Sequence, residues 1–307
     1  MRLTLLIFLI CTRIQGFATP SGVTHSVIDT PRVDYLLSRL HDHGRSRYVM
    51  IISHRGDWRH APENSLQAYE NCIREGIDCI EIDIHETSDG HLIIMHDATL
   101  NRTTNGKGLV QDKTLAEIKS LYLRSPLGIV RRQRVPTFDE VLKLCKGKIL
   151  IMVDKWQPSL DKILTVAKEE GCLDQLIFRS TYPTAVVKTR FGEYLNQINY
   201  IPVIVTGRPN DEGRLDDYLN QLHPPAIGFS FAKADAPILD TIPALKEEGY
   251  RIWFNAMWGS FNDDHDDELA TENLDKSYGW LLDKGANMIF TGRPLLLKKY
   301  LEQKGRR

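Results

Sequence analysis

The sequence predicts an eight-stranded α/β barrel, (β/α)8 in organisation, and three observations lead there. Short apolar runs recur at 48–53, 79–84, 148–153, 175–179, 200–205, 226–231, 250–254 and 286–291. Between most of them lie amphipathic stretches, among them Asp161 to Glu170, Pro237 to Glu248 and Leu274 to Lys284, each followed by Gly. The chain has 307 residues, enough for a barrel of about 250 residues as one unit. Alternating β and α segments at this spacing make a parallel sheet, and eight repeats favour closure over an open doubly wound sheet.

The elements follow in order. Arg2 precedes the apolar stretch Leu3 to Cys11, and the small-residue site Gly16-Phe17-Ala18 follows, so residues 1–18 read as a signal peptide. Its apolar part is too short to span a bilayer, which needs about twenty residues, and no second candidate span appears. Export to a periplasm or the exterior is expected. A lipid anchor at Cys11 is disfavoured, because Phe8-Leu9-Ile10 lacks the small residue usual before a modified cysteine. Residues 19–47 form a leader and a helix near Pro31, with Val33, Leu36, Leu37 and Leu40 on one apolar face. The barrel is assigned to 48–303. Its first strand is Tyr48 to Ser53, a helix from Ser65 to Glu75 closes on Gly76, and Cys79 to Ile84 is the second strand.

Residues 86–137 break the alternation. They contain a hairpin-like piece, Thr87 to His96 around Asp89-Gly90, then the turn-rich Asn101 to Gly108, then a short helix near Leu115 to Leu121. This reads as an insertion between the second and third barrel strands. No repeat or low-complexity linker divides the rest, so one domain is expected.

Composition narrows the function. The 39 basic residues nearly cancel 40 acidic ones, giving a net charge of -1. A nucleic-acid partner would leave a basic stripe, and only the short Arg131-Arg132-Gln133-Arg134 run stands out, read here as a solvated loop. Cys72, Cys79, Cys145 and Cys172 form no Cys-x-x-Cys pair and are flanked by Ile73, Ile80 and Leu144, so buried thiols are expected, not zinc ligands.

Three motifs carry chemistry. His54-Arg55-Gly56 ends the first strand and Pro62-Glu63-Asn64-Ser65 opens the next helix, which places His54 and Arg55 at the C-terminal rim where barrels build active sites. Histidine exchanges protons near neutral pH, and arginine holds a phosphate oxygen through paired donors. Asn64 and Ser65 read as helix caps. In Glu81-Ile82-Asp83 the two carboxylates point to one face of a strand, and a divalent cation with oxygen ligands relieves their repulsion. Asp154 ends the run Ile149 to Val153 as a third ligand would, and His96-Asp97 returns a second histidine to the rim.

Together these pieces resemble the glycerophosphodiester phosphodiesterase family, secreted and of bacterial type. The ordered set is His54-Arg55-Gly56, Pro62-Glu63-Asn64-Ser65, Glu81-Ile82-Asp83, Thr87-Ser88-Asp89-Gly90, His96-Asp97 and Asn101-Arg102-Thr103-Thr104. It continues through Val135-Pro136-Thr137-Phe138-Asp139-Glu140, Phe178-Arg179-Ser180 and Trp253-Phe254-Asn255 to Thr291-Gly292-Arg293-Pro294. The resemblance implies a TIM barrel of the PLC-like phosphodiesterase type with a small subdomain after the second strand. It also implies one divalent cation, Mg2+ or Ca2+, and hydrolysis of a small glycerophosphodiester to glycerol 3-phosphate and an alcohol. On matching positions His54 and His96 become the acid/base pair, Arg55 a phosphate ligand, Glu81, Asp83 and Asp154 the metal ligands, and Glu63 a holder of the metal's water shell or a substrate hydroxyl.

The chain departs from the family at three positions. Members often carry Glu at the third ligand and Lys two residues later, where this chain has Asp154 and Trp156 with Lys155 between. Gly292 stands where Asp is common, and a structural effect is expected. Lys155, Trp156, Asn255, Met257 and Trp258 are expected to line the substrate site. The run Asp263-Asp264-His265-Asp266-Asp267 reads either as a solvated loop or as a site for a second cation or cationic head group. Two rival readings are a sphingomyelinase or phospholipase D type lipid phosphodiesterase on the same barrel and a catalytically silent phosphodiester-binding protein.

Overall fold

Side-chain parity along the strands decides what faces the barrel axis. In the computed structural model, which describes residues 32–42, 46–208 and 210–307, nine strands form one sheet. They are β1 (Met50–Ser53), β2 (Cys79–Glu86), β3 (Leu92–Ile94), β4 (Leu150–Asp154), β5 (Leu176–Ser180), β6 (Asn199–Val205), β7 (Ala226–Ser230), β8 (Arg251–Asn255) and β9 (Met288–Thr291). Parallel pairing runs from β2 through β4 to β9, then to β1, and the pairs Ile52↔Cys79 and Ser53↔Ile80 join β1 back to β2. Eight parallel strands therefore close into a barrel, while β3 runs antiparallel on the far end of β2. The signal-peptide and Cys11 expectations lie outside the described residues.

Alternate residues of these strands, Met50 and Ile52, Cys79, Leu150 and Met152, Ile177, Ile201 and Val203, Ala226, Trp253, Met288 and Phe290, share one apolar cluster inside the barrel. Their neighbours point outward to a second, larger layer, among them Ile51, Ile80, Ile82, Ile151, Val153 and Phe178. That layer packs under α2 (Leu66–Arg74), α4 (Phe138–Cys145), α5 (Leu160–Glu170), α6 (Thr184–Phe191), α7 (Asp211–Leu222), α8 (Ile242–Glu247), α9 (Asp267–Glu272), α10 (Trp280–Asp283) and α11 (Pro294–Gln303), while α1 (Arg32–Leu40) lies apart from it. Cys72, Cys79, Cys145 and Cys172 are free and buried. Two expected helices are less regular than their pattern: Pro237–Thr241 is a 3-10 turn before α8, and Asp275–Gly279 is a π-turn before α10.

The insertion has a core of its own. Ile93, Met95, Leu100, Val110, Ile118, Leu123 and Val135 cluster separately from the barrel, around α3 (Leu115–Lys119), whose N-terminus is closed by a capping box between Thr114 and Glu117. Asn101 accepts from Gly108 N at 3.0 Å and Thr103 and Thr104 are buried, so this stretch does structural work.

The N-terminal end of the barrel is sealed by α1, whose Val33, Leu36 and Leu40 join the inner cluster. Charge holds this seal. Arg251, wholly buried, donates to the carbonyls of Arg39, Tyr48 and Asn287 and pairs with Asp42 at 2.9 Å. Asp78 accepts from Tyr48, Arg307 and Ile51 N, bracing the short β1–β2 seam. Arg251→Ala leaves those acceptors without their donor in a site closed to water, so unfolding free energy is expected to fall by about 3 kcal/mol. Urea denaturation measures this; a loss under about 1 kcal/mol would show that the arginine is not what holds α1 in place.

Candidate metal centre and active site

Parity within the barrel brings the chemistry together at the C-terminal mouth. Glu81 and Asp83 continue the inward series begun by Cys79, and Asp154 continues that of Leu150 and Met152. The β2–β4 register sets Asp83 directly beside Asp154. One carboxylate oxygen from each of Glu81, Asp83 and Asp154 lies within 4.8 Å of the others, the one such acidic, histidine or cysteine group among the described residues. Glu81 and Asp83 are each 1% exposed.

Such a cluster is electrostatically unfavourable by itself. Burial, then Asp83 and Asp154, hold the Glu81 carboxyl well above its ordinary range. Burial likewise raises Asp83, while Arg55, Asn64 and His96 pull it back. The local partners are cationic or amide groups: Arg55 N donates to Glu81 at 3.0 Å, Asn64 Nδ2 to Asp83 at 2.8 Å and Arg179 Nη2 to Asp154 at 3.0 Å, while the Arg55 guanidinium forms an ion pair with Asp83 at 3.3 Å. Together they leave three acidic side chains facing one point.

Three non-glycine residues around this point hold left-handed backbone: Arg55 at φ 53°, Asn64 at φ 56° and Lys155 at φ 54°. Each costs about 1 kcal/mol, and strain of this kind gathers at functional sites. At Arg55 the turn lets its own N–H reach Glu81 and its guanidinium return across the mouth. Gly56 follows at φ 74°, where a Cβ would come within 2.9 Å of Ala68 and Tyr69. Of the two expected caps, Ser65 caps α2 by accepting from Ala68 N. Asn64 does not; it donates to Asp83 and accepts from the Tyr69 hydroxyl at 2.8 Å, making it part of the site.

His54 is buried with its ring edge-on to Phe290 and Trp258, at centroid distances of 5.3 and 5.7 Å. Neither ring nitrogen has a protein partner among the described residues, and Nδ1 is enclosed. Burial first, then the nearby charges of Arg55, His96 and Arg179, push its pKa well below 6.5. His96 is oriented through Nδ1, 2.8 Å from Asp97. Hydrogen bonding from Arg102, opposed by burial and aided by His96, keeps Asp97 far below the usual carboxylate range. An ionised carboxylate only accepts, so Nδ1 carries the proton and Nε2 is left for exchange.

Arg102 links this pair to the rest of the mouth. It donates to Asp97 and to both oxygens of Glu63, which also takes Arg55 Nη1 at 2.9 Å. Burial opposes the charge on Glu63, but the two arginines win and its pKa falls. Glu63 is thus held by protein cations.

The expected substrate wall needs correcting. Trp156 is fully buried against Phe178, Phe191 and Tyr182, outside the barrel. Simple alternation would aim it inward with Asp154, but the left-handed turn at Lys155 ends the alternation and throws the indole into the outer layer. Lys155 N bonds Asp154, and its ammonium has no protein partner among the described residues. Asn255 accepts from Met257 N at 2.8 Å, which orients its amide and leaves the amide nitrogen for a ligand. Trp258 is 46% exposed and does line the mouth. Arg179 was missed as a site residue; it follows Ile177 in the inward series and lies over Trp253 and Phe290. Parity was the signal that could have found it.

The acidic run serves the fold. Asp263 pairs with Lys233, Asp266 caps α9, and His265 stacks on Trp280 at 3.7 Å. Asp267, its pKa pushed up to about 6 by burial, accepts from Thr291, Tyr278 and Gly292 N. A Cβ at Gly292 would lie 2.8 Å from Met257 Sδ, so the glycine lets Met257 pack over this turn.

Comparison with known proteins agrees with the fold. A stretch of 101 residues is 44% identical to the glycerophosphodiester phosphodiesterase of Caldanaerobacter subterraneus, spanning 33% of this chain and 42% of that protein. Another of 100 residues is 36% identical to glycerophosphodiester phosphodiesterase 1 of Mus musculus, spanning 32% and 30%. The chain thus spans less than half the length of these curated relatives. Among solved structures, a glycerophosphoryl diester phosphodiesterase from Parabacteroides distasonis superposes with a TM-score of 0.75 at 22% identity, over 89% of this chain and 92% of that one. An Oleispira antarctica phosphodiesterase, solved with the product sn-glycerol-3-phosphate, superposes at 0.59 and 21% identity, over 82% and 96%. Both share the fold. The profile of the glycerophosphoryl diester phosphodiesterase family matches residues 54–296, from the first mouth histidine into the last helix, and this chain belongs to that family.

Proposed function

We propose that this chain hydrolyses glycerophosphodiesters to glycerol 3-phosphate and an alcohol, using one divalent cation, Mg2+ or Ca2+, and two histidines. The observation that carries this reading is the meeting of Glu81, Asp83 and Asp154 within 4.8 Å at the barrel mouth. The donor set suits a hard cation, because all three ligands are carboxylate oxygens and no sulfur or imidazole joins them. Burial and mutual repulsion leave Glu81 and Asp83 short of positive charge, a deficit a dication meets. When bound, the cation would neutralise the diester and the charge that develops in the transition state.

The chain's own residues supply the rest. Arg55 and Arg179 present guanidinium groups to the phosphate oxygens. His54, kept neutral by its surroundings, accepts the proton of the attacking oxygen. His96, steadied by Asp97, protonates the leaving alcohol from Nε2. Trp258 covers the His54 ring and forms one wall for the head group, and the Lys155 ammonium, without a protein partner among the described residues, serves a substrate oxygen. Export through cleavage of residues 1–18 belongs to the same reading, supported by Arg2 and the apolar run after it; N-terminal sequencing of the secreted protein should begin near residue 19, and an intact Met1 would overturn it.

Glycerol 3-phosphate release from glycerophosphocholine should stop with chelator and return with Mg2+ or Ca2+, and His54→Ala should lower kcat by about 10²–10⁴-fold. Full activity in either case would sink the proposal. Asp83→Asn should raise the melting temperature of the metal-free protein, by relieving repulsion on Glu81, and abolish its rise on adding cation; a fall in the metal-free protein would mean the repulsion is not the controlling term. The pH profile has a defined sign. His54 must be unprotonated to work, and its pKa lies below 6.5, so activity is lost only as pH falls through that depressed value. The acid limb of kcat/KM should therefore lie below pH 6.5, and a limb above it assigns the base elsewhere.

A further inference from the structure

The insertion carries a feature that the proposed chemistry does not use. Residues 123–133 form a small hairpin, with bonds from Leu123 N to Gln133 O, Arg131 N to Leu123 O and Ser125 N to Ile129 O, each 2.8 Å. Its turn closes through Gly128 N to Ser125 O, with Gly128 at φ 76°. The root is anchored, since Leu123 and Val135 are buried in the insertion's core. The tip is apolar and unburied: Leu127 is 84% exposed, Ile129 52% and Val130 43%. Large apolar side chains gathered on one protruding turn mark an interaction site more than scattered ones do.

Charge selects the partner. Arg131 and Arg132 follow the tip directly, both are exposed, and neither makes an ion pair among the described residues. Arg134 lies over the Tyr122 ring at 3.7 Å, and Arg124 donates to the carbonyls of Thr104 and Gly128. No Asp or Glu occurs between Glu117 and Asp139. A convex apolar tip with a purely cationic flank fits a surface that is hydrocarbon below and anionic above. A folded protein partner would more usually meet a flatter patch with a mixed polar rim.

Position joins this hairpin to the barrel mouth. A cleft of about 640 Å3 separates it from the loop after β1, with Trp58, Arg59 and Pro62 on one wall and Pro126, Leu127 and Arg131 on the other. That loop runs directly from His54 and Arg55 to Glu63 and Asn64. We infer that the 123–133 hairpin docks the enzyme on an anionic lipid surface, inserting Leu127, Ile129 and Val130 while Arg131 and Arg132 meet the head groups, so that the cleft opens at the membrane. The inference does not depend on the reaction proposed above, because docking is read without substrate.

Co-sedimentation of the protein with phosphatidylcholine vesicles, with and without phosphatidylserine, tests it. Binding should require phosphatidylserine and weaken as salt rises. Arg131→Gln with Arg132→Gln should lower the partition coefficient about 25-fold, at about fivefold for each cation. Leu127→Asp with Ile129→Asp should abolish binding. Both pairs should keep the wild-type melting temperature and the hydrolysis rate on soluble glycerophosphocholine. No binding to phosphatidylserine vesicles, or binding that both variant pairs leave intact, overturns the inference. So does a dimer seen by light scattering that the same substitutions dissolve, which would make the hairpin a contact between copies.

Discussion

Repulsion among three carboxylates at one end of a closed barrel is the constraint around which this molecule is arranged. Glu81 and Asp83 are almost without solvent and Asp154 stands beside them, in a place where water screens little. Everything nearby answers that charge. Arg55 turns through a left-handed backbone to give Glu81 its N–H and Asp83 its guanidinium. Asn64 leaves a helix N-terminus for Asp83, and Arg179 crosses from β5 to Asp154. These contacts moderate the repulsion without removing it, which is the condition in which a dication binds with advantage.

The same cations set the two histidines apart. His54 sits among apolar rings and positive charges, which disfavour its protonated form. His96 touches an aspartate that Arg102 keeps ionised. The two imidazoles at the mouth thus keep different company, one among apolar rings and guanidinium groups and the other against a carboxylate. The chain Arg55–Glu63–Arg102–Asp97–His96 ties the barrel rim to the insertion. Movement of the insertion would be felt at His96.

The two ends of the barrel use buried charge differently. At the bottom, Arg251 and Asp78 have donors and acceptors matched by fixed backbone groups, and the result is a seal. At the mouth, negative charge is left in excess and His54 has no hydrogen-bond partner among the described residues. Matched charge lies at one end and unmatched charge at the other, and it is the C-terminal mouth where the (β/α)8 architecture commonly builds active sites.

Much of this was legible in the residues alone. The spacing of apolar runs located all eight barrel strands and the insertion, because hydrophobic period depends only on local sequence. Glu81-Ile82-Asp83 announced paired carboxylates, because strand parity is also local. Asp154, ending the next barrel strand, was within reach of the same argument. What local pattern could not give was the outcome of backbone turns and the company each side chain keeps. The left-handed turn at Lys155 sent Trp156 into the outer layer, and that at Asn64 converted an expected cap into a partner of Asp83. Arg179 became a member of the site only when the pairing of β5 with β4 set its guanidinium against Asp154. The exposure of Leu127 beside Arg131 and Arg132 depended on how the insertion folded over its own small core. Sequence determined which residues were available and on which face of each strand they lay, since both follow from covalent order. Tertiary structure alone decided which of them met, because electrostatic interactions depend on distances that chain closure sets between residues far apart in the chain.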